Sequence, residues 1–113
     1  MKINILTLSD KGSRGERVDA SGPALVAWLA AQGYATATSL VMADEQEQIA
    51  AQLTDWADSG QCDLILTTGG TGISPRDRTP DATLQVLERV LPGFGELMRF
   101  KSLQKTPHAI VSR

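Results

Sequence analysis

The sequence predicts a three-layer α/β fold, a mostly parallel sheet flanked by helices, on three observations. Strand-like apolar runs alternate with segments of helical periodicity along the whole chain. One run, Leu64-Ile65-Leu66, is consecutively apolar, which suits a central parallel strand covered on both faces. Two polar, glycine-bearing loops follow strand-like runs, where open parallel sheets bind their ligands.

The elements follow in order. Ile3 to Leu8 is a short apolar run and predicts a buried strand. A polar loop, Ser9 to Pro23, comes next, and Leu25, Trp28 and Leu29 then recur at helical spacing, with Gly33 placed to end the helix. Tyr34 to Met42 mixes Thr, Val and Tyr and predicts a second strand. Ile49, Leu53 and Trp56 mark the inner face of a second helix, opened by Asp44 as N-cap and closed by Ser59-Gly60. Cys62 to Thr67 predicts the third strand. Thr79-Pro80-Asp81 opens a third helix, with Thr79 as N-cap, Pro80 at the first helical position and Leu84, Leu87 and Leu91 as its apolar stripe. Pro92-Gly93 breaks it. Phe94 to Leu103 predicts a fourth helix, and His108 to Val111 the start of a further strand. Such alternation implies right-handed crossovers. Trp28 and Trp56 are expected on inner helix faces, and Cys62 in the core.

A chain of 113 residues is the size of one domain. It buries roughly two-thirds of its unfolded surface, enough for one core. Net charge is −2, from 11 basic and 13 acidic residues. No general field then draws the protein to nucleic acid or an anionic membrane, and a bound anion must be held by local groups. One cysteine excludes an internal disulfide. With no signal peptide or apolar span in the pattern, cytoplasmic localisation is the default.

Chemistry is expected in the two loops. In the second, Thr67 to Pro80, Gly69, Gly70 and Gly72 allow positive φ and close backbone approach. Amides of such a turn can cradle phosphate; a tight strand-to-helix turn explains the glycines equally well. The spacing is neither a P-loop nor G-x-G-x-x-G. Arg76-Asp77-Arg78 in the same loop suits phosphate with a divalent cation, or else a loop salt bridge. Asp44 is a candidate second carboxylate, and N-capping alone also accounts for it. Ser21 is either an N-cap or a ligand contact, beside Asp19 and Gly22. Lys11, Arg14 and Arg17 are read as solvated loop charges. His108 is the only histidine, so no zinc site is expected. No nucleophile elbow or Ser-His-Asp set emerges.

The stretch TTGGTGISPRDRTPDAT, Thr67 to Thr83, resembles the MogA/MoaB family of molybdenum-cofactor proteins, which includes the plant and animal cofactor-synthesis G domains. SDKGSRGERVDASGP is similar to that family's first loop, the second strand with Asp44 to its valine-to-aspartate segment, and Pro92 to Arg113 to its later helix and following strand. The resemblance covers residues 1–113 as a single MogA/MoaB-like domain. It also implies a short chain. Family members continue past Ser112-Arg113 into an Ala-Gly-rich turn, another strand and a last helix, and a sheet without that strand exposes an unpaired edge.

What the resemblance implies is a MogA-like α/β fold, a homotrimer and a nucleotidyltransferase. The reaction would be molybdopterin adenylyltransferase chemistry, moving AMP from MgATP to the terminal phosphate of molybdopterin with release of pyrophosphate. The family's important aspartates map onto Asp44 and Asp77, expected to be catalytic and to hold Mg²⁺. Thr68, Gly69, Gly70, Thr71 and Gly72 would line the phosphate or pterin pocket, with Arg76 and Thr79 beside them. Ser9, Asp10, Ser21 and Gly22 would form the opposite wall, and Ser102 and Ser112 match serines of the later helix and strand. The implied partners are molybdopterin, ATP and a downstream molybdate-insertion protein, with no nucleic acid or membrane. The alternative is a non-catalytic molybdopterin-binding module, and a third class is a trimeric scaffold.

Overall fold

The computed structural model describes residues 1–113. Three strands, β1 (Ile3–Leu8), β2 (Thr36–Met42) and β3 (Leu64–Thr68), pair in parallel in the order β2-β1-β3. Five helices accompany them: α1 (Asp10–Ser13), α2 (Ser21–Ala31), α3 (Gln46–Asp58), α4 (Thr79–Val86) and α5 (Pro92–Leu103), followed by a 3₁₀ turn over Pro107–Val111.

Strand order dictates the layers. The chain moves from β1 outward to β2, then back across β1 to β3. Crossovers of one hand running in opposite directions place their helices on opposite faces of a sheet. Two cores result. Ile3 and Ile5 of β1 pack with Leu29 of α2, backed by Leu25, Val26 and Leu66. Leu6 and Leu8 pack on the other face with Ile49, Ala50, Leu53 and Trp56 of α3 and Ala82 of α4. The three-layer expectation is met, as is the inner face of α3.

Several expectations need correction. The central strand is β1, all six residues of which are buried. β3 lies at the edge, and its Leu64 is 38% exposed. A consecutive apolar run signals two covered faces but carries no information about strand order. Trp28 is 59% exposed, whereas Trp56 is 4% exposed. The Leu84–Leu87–Leu91 stripe does not form, because backbone at Leu87 leaves helical geometry (ψ 139°) and the phase is lost; all three leucines are exposed. Pro92 does not merely end one helix but opens α5, a position where its missing N–H costs nothing. Residues His108 to Val111 are 3₁₀ rather than strand: Pro107 fixes the first turn, and the His108 amide donates to Thr106 Oγ1 (3.3 Å). Cys62 falls just before β3, half-buried against the larger core. No helix is long and apolar enough to cross a membrane.

Candidate active site

The reversal of strand order leaves a crevice beyond the carboxyl ends of β1 and β3, since the chain departs from these strands toward opposite faces. Loop residues that meet there are held by backbone geometry first. Gly69 (φ 94°) and Gly70 (φ 66°) occupy the left-handed region that favours glycine. A Cβ at Gly69 would collide with the Leu8 carbonyl oxygen at the end of β1, and one at Gly70 with the Asp44 carboxylate and the Thr79 hydroxyl. The turn is thus packed directly onto β1 and onto Asp44.

Asp44 is not the N-cap of its own helix. Glu45 takes that position, and no side chain caps α3. The Asp44 carboxylate instead crosses to α4: Oδ1 accepts from the Arg78 amide (3.1 Å) and the Thr79 hydroxyl (3.4 Å). It sits at that helix's N-terminus, a favourable place for negative charge. Asp44 is 5% exposed, and Oδ2 accepts no hydrogen bond although it is not sealed from solvent. Burial pushes its carboxyl above the usual range; the Arg78 amide and Thr79 hydroxyl oppose this, and the charges of Asp77 and Asp10 reinforce it. Asp77 is therefore close enough to Asp44 to be felt electrostatically. Its own Oδ2 accepts from the Ser74 amide (2.9 Å) and lies against Gly72. Thr79, expected as N-cap, is the first residue of α4, one place further in.

Ser21 is likewise not a cap. The helix α2 is opened by Asp19, whose Oδ1 accepts from the Ser21 and Gly22 amides (3.0 and 3.2 Å) while Oδ2 accepts from the Thr7 hydroxyl (3.4 Å). That bond ties the first loop to β1. Ser9 caps α1, accepting from the Gly12 amide. Asp10 accepts from the Asp44 amide and from Arg76, and Arg76 also donates to Glu45. Arg76 thus pairs with carboxylates outside its own loop.

The expected site residues fall around the glycine turn in two clefts. One, of about 250 Å³, joins Ser9 and Ser21 to Thr68 and Gly69. The other, of about 470 Å³, joins Thr71 to Ser102 and Ser112 beside Arg99 and His108. Asp44 stands between Gly70 of the glycine turn and Thr79 of α4, its amide bonded to Asp10, with Asp77 in the adjoining loop. Gly22 is buried against Thr7 and Ser39. A larger hollow of about 780 Å³ lies between α3 and α4, away from the strand ends, and holds none of these residues. The side chains of His, Cys, Asp and Glu form no group of three or more suited to a metal. Sequence reasoning missed Arg113. Its amide donates to Thr71 O (2.8 Å), and its guanidinium to Gly72 O (3.0 Å), Asp77 O (2.6 Å) and the Asp81 carboxylate. Nothing in the local sequence signals side-chain contacts from the Arg113 guanidinium across 32 to 41 residues.

The sequence pattern of a family described as a probable molybdopterin binding domain matches residues 4–113. The chain belongs to the MogA/MoaB family. Among its relatives in that family, the molybdopterin adenylyltransferase of Haemophilus influenzae is 46% identical over 116 residues, and that of Helicobacter pylori strain J99 is 44% identical over 113. These alignments take in 100% and 98% of the chain but 58% and 64% of the relatives, so the chain spans about three-fifths of their length. The crystal structure of the molybdopterin biosynthesis enzyme MoaB from Thermus thermophilus superposes with a TM-score of 0.90 at 49% identity, covering 99% of this chain and 70% of that one. The MogA/MoaB α/β fold is thereby established for this chain.

Proposed function

We propose that this MogA/MoaB domain is a molybdopterin adenylyltransferase. The observation that carries the reading is the buried Asp44 carboxylate, set against Gly70 and the start of α4 with one oxygen uncommitted. The names of the relatives point the same way.

In this reading an oxygen of the terminal phosphate of molybdopterin attacks the α-phosphorus of ATP. The bond from that phosphorus to the bridging oxygen of the β-phosphate breaks, pyrophosphate leaves, and a pterin–AMP anhydride forms. The attacking phosphate is already ionised at neutral pH, so the protein need supply neither a nucleophile nor a strong base. It must hold two polyanions together and stabilise charge on the departing group. Mg²⁺ would neutralise phosphate charge, and the donor set fits it: Asp44 Oδ2 and Asp77 Oδ1 accept no hydrogen bond, and Mg²⁺ takes one or two carboxylates plus phosphate oxygens. Backbone of the Gly69 to Gly72 turn would face the phosphates, held in place because its glycines pack directly on Leu8, Asp44 and Asp77. Ser9, Ser21 and Thr68 line one cleft for one substrate, and Thr71, Ser102 and Ser112 line the other.

The reading extends to a homotrimer working in the cytoplasm as one domain over residues 1–113, with a molybdate-insertion protein receiving the product. Support for self-association comes from the exposed apolar side chains of α5 and the segment before it, among them Leu91, Phe94, Leu97 and Met98. Calorimetric titration of molybdopterin with and without MgATP tests the reaction. The expected result is pterin binding in both, with an adenylated pterin recovered only when MgATP is present. Tight pterin binding with no such product would instead assign a non-catalytic binding module.

A further inference from the structure

We propose that Asp10 and Arg76 form a clasp that positions the Asp44 carboxylate and the glycine turn, without touching either substrate. The proposal rests on the transfer reaction inferred above. Three connections leave the carboxyl ends of the three parallel strands. Asp10 opens α1 in the connection after β1, Asp44 and Glu45 lie in the loop after β2, and Arg76 lies in the loop after β3. Asp10 Oδ1 accepts from the Asp44 amide (3.0 Å) and from Arg76 Nη2 (2.9 Å), and Oδ2 accepts from Arg76 Nε (2.9 Å). Arg76 Nη2 also donates to Glu45 Oε1 (2.8 Å). One side-chain pair therefore joins all three connections.

The bonds close a ring. Asp10 fixes the backbone of Asp44. The Asp44 carboxylate fixes the Arg78 amide and Thr79 hydroxyl. Two residues earlier in the chain, Arg76 returns to Asp10. Two parallel bonds from a planar guanidinium set direction as well as distance, which a lysine ammonium cannot do. The ring lies outside both apolar cores, and Arg76 is 57% exposed, so opening it costs little folding stability. Nε and Nη2 of Arg76 are both spent on carboxylates, which leaves the side chain poorly placed to grip a phosphate.

The test uses Arg76→Ala, Arg76→Lys, Asp10→Asn and the Arg76→Ala/Asp10→Asn double variant of the full chain, with two readouts. Amide hydrogen exchange, without substrate, follows Asp44 and Arg78 against the amides of β1. Steady-state transfer is measured with MgATP and molybdopterin. Arg76→Ala should speed exchange at Asp44 and Arg78 by about tenfold while leaving β1 and the thermal midpoint unchanged. It should lower kcat by about tenfold and move KM for MgATP by less than about threefold. Arg76→Lys should recover part of both losses, and the double variant should be no worse than the worse single one. Unchanged exchange at Asp44 and Arg78, or equal acceleration in β1, overturns the clasp. So does a raised KM with kcat retained, which marks Arg76 as a substrate contact. If the unaltered chain forms no product, the transfer reading fails and the exchange data alone decide the clasp.

Discussion

Asp10 and Asp44, linked by the bond from the Asp44 amide to the Asp10 carboxylate, respond to their surroundings in opposite senses. Burial raises Asp44, whereas the Arg76 guanidinium and the Asp44 amide lower Asp10. An acid raised in the folded state favours folding while protonated: that contribution is complete below its ordinary 3.8 and is lost as pH rises through the raised value. Asp10 behaves in reverse, contributing stability above its ordinary value and losing it as pH falls through the lowered one. Asp44→Asn keeps an oxygen acceptor for the Arg78 amide and Thr79 hydroxyl but removes the buried charge. It should therefore unfold at a higher temperature than the unaltered chain at pH 7, with the difference closing toward acid pH, and should lose transfer activity. Scanning calorimetry across pH decides this, and a lower midpoint at pH 7 would count against the account. Asp77 is less buried. Asp77→Ala gives up the bond to the Ser74 amide and should destabilise by less than about 1 kcal/mol in a denaturant titration, yet abolish transfer. Asp44 also shows where sequence stops being informative. Its spacing fits an N-cap of α3, but its carboxylate reaches residues 34 and 35 positions later. Only the packing of the loops decides between those partners.

At the scale of elements, the glycine turn makes the sharpest prediction. Gly70→Ala must place a side chain at φ 66° and also displace Asp44 and Thr79. Gly60 has a similar φ of 73° but open space where a Cβ would go. Gly60→Ala should therefore cost only the backbone term, about 1–2 kcal/mol. Gly70→Ala should cost clearly more, with loss of transfer; equal values for the two would mean that the turn does not press on Asp44. The elements themselves were largely visible in the chain. β1 matches its predicted span, and the Ile49–Leu53–Trp56 face of α3 is buried as expected, because both follow from near-neighbour periodicity. What failed depended on distant partners, with β3 at the edge rather than the centre and Trp28 exposed, or on a local break, with the leucine stripe of α4 cut short by the extended backbone at Leu87.

On the scale of the whole molecule, the parallel sheet has an open edge at β3, and exposed apolar side chains gather on α5 and the segment before it. Contiguous apolar surface of this kind marks association. On the proposed self-association, Leu97→Lys should shift the sedimentation profile toward smaller species without altering circular dichroism, and an unchanged profile would count against this face as the interface. The glycine and SPRDRTP motifs pointed to the loops on which the candidate site is built. The pairing of those loops through Asp10 and Arg76, 66 residues apart, was not legible, because each residue looks like an ordinary loop charge in its own neighbourhood.

We infer that Asp44 and Asp77, in the loops that follow β2 and β3, serve adenylyl transfer to a phosphorylated pterin. That role is tested most directly by ³¹P NMR of the purified chain with molybdopterin and MgATP. The account predicts pyrophosphate and a pterin–AMP anhydride appearing in equal amounts, with neither formed by Asp44→Asn or Asp77→Ala. Anhydride formation at an undiminished rate in both variants, or bound pterin with no pyrophosphate released by the unaltered chain, would contradict it.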